Sequence, residues 1–416
     1  MNKWYNKLQY GAMLLMAAAM PISWRVGLYV ALLLAMVSIV KMVVERRFWN
    51  TALDWRLRIP FYAILFYWLM IVVSVFFSTD TAVAWQVVGR KAGLIIFPLC
   101  FLLTDTSYLN AKCLRGLGYA LLVSVCGVFL YFVGNAVVKM MNGDTLAYVF
   151  GESVFDPRHH AYTSMYADVA IAFVYFELSG HWNDLKGWLR GLLIASLPVC
   201  MLYVEIVNSR AGLLVLYILA VVCLLHLAIV RRRWVAAVIA AVLVTGFLLL
   251  VPRMLANHGN RLDATISDVT SDEPKDARVK IYRSVVKSAK ESPLVGYGAG
   301  DYRQTLEEQY KADGNNYSYE HQQNAHNQYL ETILTLGVVG LLPLLLFLLW
   351  PLGFAWWRKS PALFLTAVMV GIVMFNLLVE SMMERQMGLL FIGYLLSVIV
   401  LILSLEENKF GRVQKS

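Results

Sequence analysis

An imidazole changes charge near neutral pH and can take a proton from a hydroxyl, while a guanidinium fork suits phosphate oxygens. This sequence holds both kinds of group where apolar and polar stretches meet. His326 stands in AHNQYLETIL beside Asn327, where the longest polar run gives way to an apolar one. Arg210 ends VEIVNSR, directly after Ser209, with Glu205 about one turn earlier. Arg278 lies in DARVKIYRS, one turn before Tyr282. Further cations are the Arg90-Lys91 pair, Arg158 ahead of His159 and His160, and Arg385 after Glu380 and Glu384.

Each of these has a plainer alternative. A histidine at a helix start is commonly a satisfied cap, and adjacent histidines do not share a helix face, which argues against a metal pair at 159–160. Glu380 and Glu384 could work as acid and base. They could equally hold Arg385 or a neighbouring arginine in place, and the second reading is preferred. Gly296, Gly298 and Gly300 in GYGAG, with Tyr297 among them, lack the preceding strand of a dinucleotide loop; a turn that brings backbone close to another group fits better. Arg210 at a tight corner could be a structural ion pair with Glu205. Arg90 and Lys91 could simply anchor headgroups.

The elements that must position these groups are set by the solvent. The 416 residues are 59% hydrophobic and only 15% charged, against about 25% charged in soluble proteins. The net charge of +9 does not indicate nucleic acid, because the basic residues sit in short clusters between apolar runs, as in an integral membrane protein. Cys100, Cys113, Cys126, Cys200 and Cys223 show no C-x-x-C spacing and read as small apolar filler. The fold class expected is an all-α polytopic membrane protein, since lipid leaves no partner for free backbone groups. Measured against a hydrocarbon core of about 30 Å, twelve spans are expected near 8–23, 26–44, 59–78, 89–104, 114–138, 160–179, 188–206, 211–230, 234–252, 328–350, 361–380 and 387–404.

Lysine and arginine bias then sets orientation. Lys41, Arg46, Arg47, Arg56, Arg58, Lys112, Arg115, Arg231 to Arg233, Arg358 and Lys359 fall in alternate loops, which become the inner ones. Both termini are therefore expected in the cytoplasm and the long polar segment outside. The chain divides into residues 1–251 with nine spans, a loop domain over 252–327 with an amphipathic helix, and 328–416 with three spans and a cytoplasmic tail. In the loop, Ser271 to Pro274 reads as a helix start, and Ala277, Ile281, Val285 and Ala289 form an apolar stripe. Asp168, an ionisable group inside an apolar span, is expected to face the bundle interior. Gly337 and Gly340 in TLGVVGLL are expected to allow close helix packing. Arginines on the outer side suggest headgroup anchoring or an anion site.

The order SRAG at a helix corner, a long outer segment with DARVKIYRS and PLVGYGAGDY, then AHNQYLETILTLGVVGLL resembles the O-antigen ligase family and its relatives, the O-antigen polymerases and protein O-oligosaccharyltransferases. The motif-bearing likeness covers roughly residues 160–385. It implies a GT-C-like inverting glycosyltransferase of the bacterial inner membrane, with its active site on the periplasmic face and no metal or cofactor. Such enzymes move a glycan from an undecaprenyl-diphosphate carrier to an acceptor hydroxyl on lipid A–core, another glycan or a protein, in lipopolysaccharide or surface polysaccharide biosynthesis. By the resemblance Arg210 and Arg278 match the arginines that hold the diphosphate, and His326 the catalytic histidine. Arg158, Arg90 and Lys91 match more loosely as substrate-binding residues, with Ser209, Tyr297, Asn327, Glu380 and Arg385 as further candidates. The polar segment would then supply Arg278 and His326 to a site completed by helix corners distant in sequence.

A transporter or flippase for polyprenyl-linked glycans is the alternative of a different class. It would spread charge through the depth of many helices, whereas here charges gather at one surface. A serine hydrolase built on Ser209 and His326 lacks G-x-S-x-G and an oriented acid.

Overall fold

The computed structural model describes residues 2–143, 160–254 and 277–413. Every regular element among them is helical. In order these are α1 (Asn2–Ile22), α2 (Trp24–Glu45), α3 (Trp55–Ser74, extended by a 3-10 turn Val75–Phe77), α4 (Thr81–Lys91), α5 (Gly93–Leu103) and α6 (Ala111–Met141). Then come α7 (His160–Gly180), α8 (Gly187–Val207), α9 (Arg210–Leu225, extended by a π turn His226–Val230) and α10 (Trp234–Met254). The last six are α11 (Ala277–Glu291), α12 (Tyr302–Ala312), α13 (Asn316–Glu320), α14 (Gln328–Trp357), α15 (Leu363–Val379) and α16 (Gln386–Val413).

Each of the twelve expected segments coincides with helix, and the chain is a membrane protein, but not all twelve are equally apolar. Among the described residues seven helices are long and apolar enough to cross a membrane, and α4 with α5 forms an eighth candidate bent by 47°. The α10 and α15 segments are shorter apolar helices. The α1 and α7 helices are long enough but more polar, because Asn6, Lys7 and Gln9 lie on one and Asp168 and Glu177 on the other.

The chain separates into two compact units, residues 1–117 with 268–416, and residues 118–267. In the first unit, α3 and α14 run antiparallel, pinned at one end by Trp350 Nε1 donating to the Arg56 carbonyl (2.7 Å) and further along by Tyr67 beside Thr332 (3.3 Å). α16 packs on α5 and α2 with its face almost wholly buried. One buried polar network crosses this packing, with Lys41 donating to Gln9 (3.0 Å), and Gln9 to Ser38 and Thr104 (3.0 and 2.8 Å).

The glycines expected to allow helix packing do something more specific. At Gly337 the backbone takes φ 65°, ψ −169° and breaks α14. The freed amides of Val338 and Val339 donate to the carbonyls of Pro293 and Leu294 (2.9 and 3.3 Å). On the other side of the break, Tyr297 and Gly298 donate to Leu334 and Thr335 (2.7 and 2.9 Å). A Cβ at Gly337 would collide with the Leu294 carbonyl, so only glycine fits. The GYGAG turn is thus a backbone plug in a broken helix. Its far end is tied to α3 through Ala299 and Gly300 amides on Ser74 and Ser78 (both 3.1 Å), and through the Asp301 carboxylate on the amides of Thr79 and Asp80 (2.7 and 3.0 Å). Burial raises the Asp301 carboxyl, but those backbone donors outweigh it and hold it below the usual range.

In the second unit, Asn208 caps α8 in the left-handed conformation and Ser209 caps α9, accepting from the Gly212 amide (3.3 Å). Gly212 packs against Ser164 of α7, leaving no room for a side chain. His160 Nδ1 meets the Val207 carbonyl at 2.5 Å. Asp168 is fully buried, as its position in an apolar run implies.

Candidate functional site

The first unit gathers the sequence-predicted residues into two clusters at one end of α14, both built on the short connector between α15 and α16. The first centres on His326. Its backbone sits at φ 45°, a conformation uncommon for a residue with a side chain. Both of its backbone groups are held: the amide donates to Asn324 Oδ1 (3.1 Å), and the carbonyl accepts from the Tyr282 hydroxyl (3.0 Å). Asn327 immediately caps α14 by accepting from Leu330 N (3.0 Å). The strained residue therefore lies just outside the helix, between a loop and a cap. Such strain tends to occur where a side chain must be aimed.

That side chain is aimed at Glu380. His326 Nδ1 lies 3.1 Å from both Glu380 oxygens, and Nε2 lies 2.7 Å from Gln323 Oε1. Arg278 Nη2 approaches the same Glu380 at 3.6 Å. Burial would raise the Glu380 carboxyl, yet the His326 hydrogen bond, with the charges of His326 and Arg278, holds it below its ordinary value. An ionised Glu380 accepts the Nδ1 proton and fixes the orientation of the ring. In this arrangement Nε2 donates to the Gln323 side-chain oxygen, and the Gln323 amide must turn away before Nε2 can offer a lone pair. The three side chains are part open: His326 21%, Glu380 18% and Arg278 35% exposed.

The second cluster is closed around its carboxylate and lysine, and Arg90 reaches the surface. Glu384 receives Lys91 Nζ at 3.1 Å and Arg90 Nη1 at 3.2 Å, and accepts from the Tyr302 hydroxyl at 3.0 Å. Glu331 of α14, also buried, stands beside Glu384. Gln386 ties the backbone of Arg90 (2.9 Å) and Gln328 accepts from the Met383 amide (2.7 Å). Burial pushes the Glu384 carboxyl up, but Lys91 and the surrounding donors outweigh it and bring it down to about 2. Lys91 is 1% exposed and Arg90 33%. Of that pair, Arg90 alone presents surface to a substrate.

Arg385 is exposed at the start of α16. Glu380 holds Arg278 and Glu384 holds Arg90. Tyr297 spends its hydroxyl on the Ser288 carbonyl (2.8 Å) and supports α11. In the second unit Arg210 is the first residue of α9, directly after the Ser209 cap. Glu205 is buried and accepts from Tyr217 (3.5 Å). Arg158 and the expected helix start at 271–274 lie outside the described residues.

Sequence reasoning missed Gln323, Asn324 and Tyr302, and did not pair Glu380 with His326. Gln323 precedes His326 by three residues, a spacing that could have suggested contact. Nothing local connects His326 to a residue 54 positions away.

Residues 193–345 match a family model described as O-antigen ligase, which supports the O-antigen ligase family for this chain. The match contains Arg210, Arg278 and His326, whereas Arg90, Lys91, Glu380 and Arg385 lie beyond it. The match supports a ligase- or polymerase-like role in surface polysaccharide biosynthesis and suggests a glycosyltransferase-like activity. No curated protein matches the chain.

Proposed function

We propose that this protein, similar to the O-antigen ligase family over residues 193–345, is an inverting glycosyltransferase, independent of metal, that moves a glycan from an undecaprenyl-diphosphate carrier to an acceptor hydroxyl. The work is done at the periplasmic face of the bacterial inner membrane. The observation that carries the reading is the aimed imidazole: Glu380 holds His326 Nδ1 at 3.1 Å, and Nε2, which meets the Gln323 side-chain oxygen at 2.7 Å, serves as base once an acceptor hydroxyl takes the place of Gln323.

In the reaction, the acceptor oxygen attacks the anomeric carbon as its proton passes to His326 Nε2. The bond from that carbon to the phosphate oxygen breaks, and the electron pair leaves with the diphosphate. A positioned base typically contributes about 10²–10⁴-fold. Glu380 steadies the imidazolium that forms. Guanidinium groups offset charge growing on the leaving diphosphate. Arg278 is one such group, held beside the imidazole through Glu380, and Arg90 is a second with surface to spare. Arg210 is assigned the same task by its match to the family arginine. The acceptor is lipid A–core in the ligase reading; a glycan chain or protein acceptor would use the same donor chemistry.

The test is a purified transfer assay with a lipid-linked glycan donor. His326→Ala should lower turnover by about 10²–10⁴-fold, and Arg210→Ala should impair transfer, both with normal membrane insertion. Full activity of either variant would remove its residue from the mechanism. Donor movement across liposomes without transfer would favour the flippase. In a deletion strain, unattached polymer on the carrier identifies a ligase and single repeat units a polymerase.

A further inference from the structure

The helix that holds the His326 site also presents a face with no use in that chemistry. On α11, Lys280, Arg283, Val286, Lys287 and Lys290 are all exposed. Their spacing puts them on one arc of the helix. The opposite arc, with Ile281, Ser284, Val285 and Ser288, is buried. The face ends in two aliphatic side chains that are not tucked away: Leu294 is 68% exposed and Val295 58%. Lys287 reaches Asp313 at 2.6 Å while remaining largely open, and Glu291 is the acidic residue at the margin.

The level of Leu294 and Val295 can be read from α14. Exposed Trp356 and Trp357 mark one end of that helix and exposed Trp55 the same end of α3, as interfacial aromatics do. From Trp357 back to Val338 is 20 residues of α14, or about 30 Å at 1.5 Å per residue, the thickness of the hydrocarbon core. That count ends at the Gly337 break, where Val338 and Val339 are bonded to Pro293 and Leu294. The α3 ruler agrees. About 30 Å from Trp55 reaches Val75, beside Ser74 where the same loop docks, and exposed Phe76 and Phe77 follow.

We propose that α11 and the Leu294–Val295 corner form a binding site for anionic phospholipid. The two aliphatic side chains enter the edge of the hydrocarbon, and the basic arc of α11 meets headgroup phosphates. Aliphatic side chains beside a basic face suit an interfacial helix, and each lysine near an anionic surface is worth about fivefold in occupancy. Since Tyr282 and Arg278 extend from this helix to His326 and Glu380, the bound lipid fixes the height of the site at the membrane surface. The inference stands on exposure and depth and does not depend on the transfer reaction.

The full-length protein in nanodiscs of equal phosphatidylglycerol and phosphatidylcholine tests it, with a diazirine amino acid at 294, 295 or, as a control, exposed Glu308 of α12. Lipid adducts identified by mass spectrometry should form at 294 and 295 well above the level at 308, with phosphatidylglycerol in excess. The double variant Lys280→Gln, Lys290→Gln should lower that excess several-fold while the total lipid adduct persists. Equal yields at all three positions, adducts to protein alone, or no preference for the anionic lipid would overturn the proposal.

Discussion

Two acid–base clusters share one connector, and they solve opposite problems. Glu380 and Glu384 are four residues apart, and each collects two nitrogen-bearing side chains from distant elements. Around Glu384 the carboxylate and Lys91 are closed off, with Tyr302 and Glu331 completing the wall, and only the Arg90 guanidinium keeps an edge at the surface. Around Glu380 the three side chains stay part open, and the histidine carries a strained backbone. The sealed set is suited to holding α4, α12, α14 and the connector together. The open set is suited to meeting something that arrives. Similar residue types therefore do not imply similar work. What separates the two is access, together with a group able to exchange a proton near neutrality.

If that division is right, the largest effect on folding should come from the sealed side. Glu384→Gln leaves Lys91 charged in a site without water. Breaking one partner of a buried ion pair typically costs about 3–5 kcal/mol. The expected result is a clear fall in the thermal midpoint of the detergent-solubilised protein. Adding Lys91→Met should recover much of it, because removing both members of a pair is far less costly than removing one. A Glu384→Gln protein as stable as the parent would mean that the cluster is dispensable.

The open side should answer in rate. Glu380→Gln keeps the shape beside His326 but loses the carboxylate that orders the Nδ1 proton. Loss of an orienting partner of this kind is worth about 10- to 100-fold. Turnover should fall by that much and its pH profile should move, with stability nearly unchanged. An unaltered pH profile would show that Glu380 acts only through Arg278.

Much of this arrangement was legible in the sequence, and the unread part has a physical reason. Apolar run lengths report the solvent directly, so the helical segments could be placed to within a few residues. Ile281 and Val285 mark the buried face of α11 because helical periodicity is local. The site residues were picked out as types at boundaries: His326, Arg278, Glu380. Their pairing was not readable, since His326 and Glu380 meet only through the packing of α14 against the α15–α16 connector. The Gly337 break escaped for a similar reason. GVVG fits a small-residue packing motif, and only the arrival of Leu294 on freed amides reveals a different use.

The smallest effect expected is acid sensitivity, which separates the clusters by titration. Glu384, at about 2, and Glu380 and Asp313, both lowered, have folded values below those of the unfolded chain. Unfolded glutamate and aspartate titrate at about 4.3 and 3.9. Groups with depressed values contribute stability that is fully present above the unfolded values and is lost as pH falls through the folded ones. The thermal midpoint should thus be flat above about pH 5 and fall between roughly pH 4 and pH 2. Because Glu384 is shielded by Lys91 and Arg90, its share should be the last to go. Glu384→Gln should flatten the lowest part of the curve, and Glu380→Gln the part nearer pH 4. Midpoints measured across that range for the three proteins would give the order, and the reverse order would assign the stronger ion pairing to the open cluster.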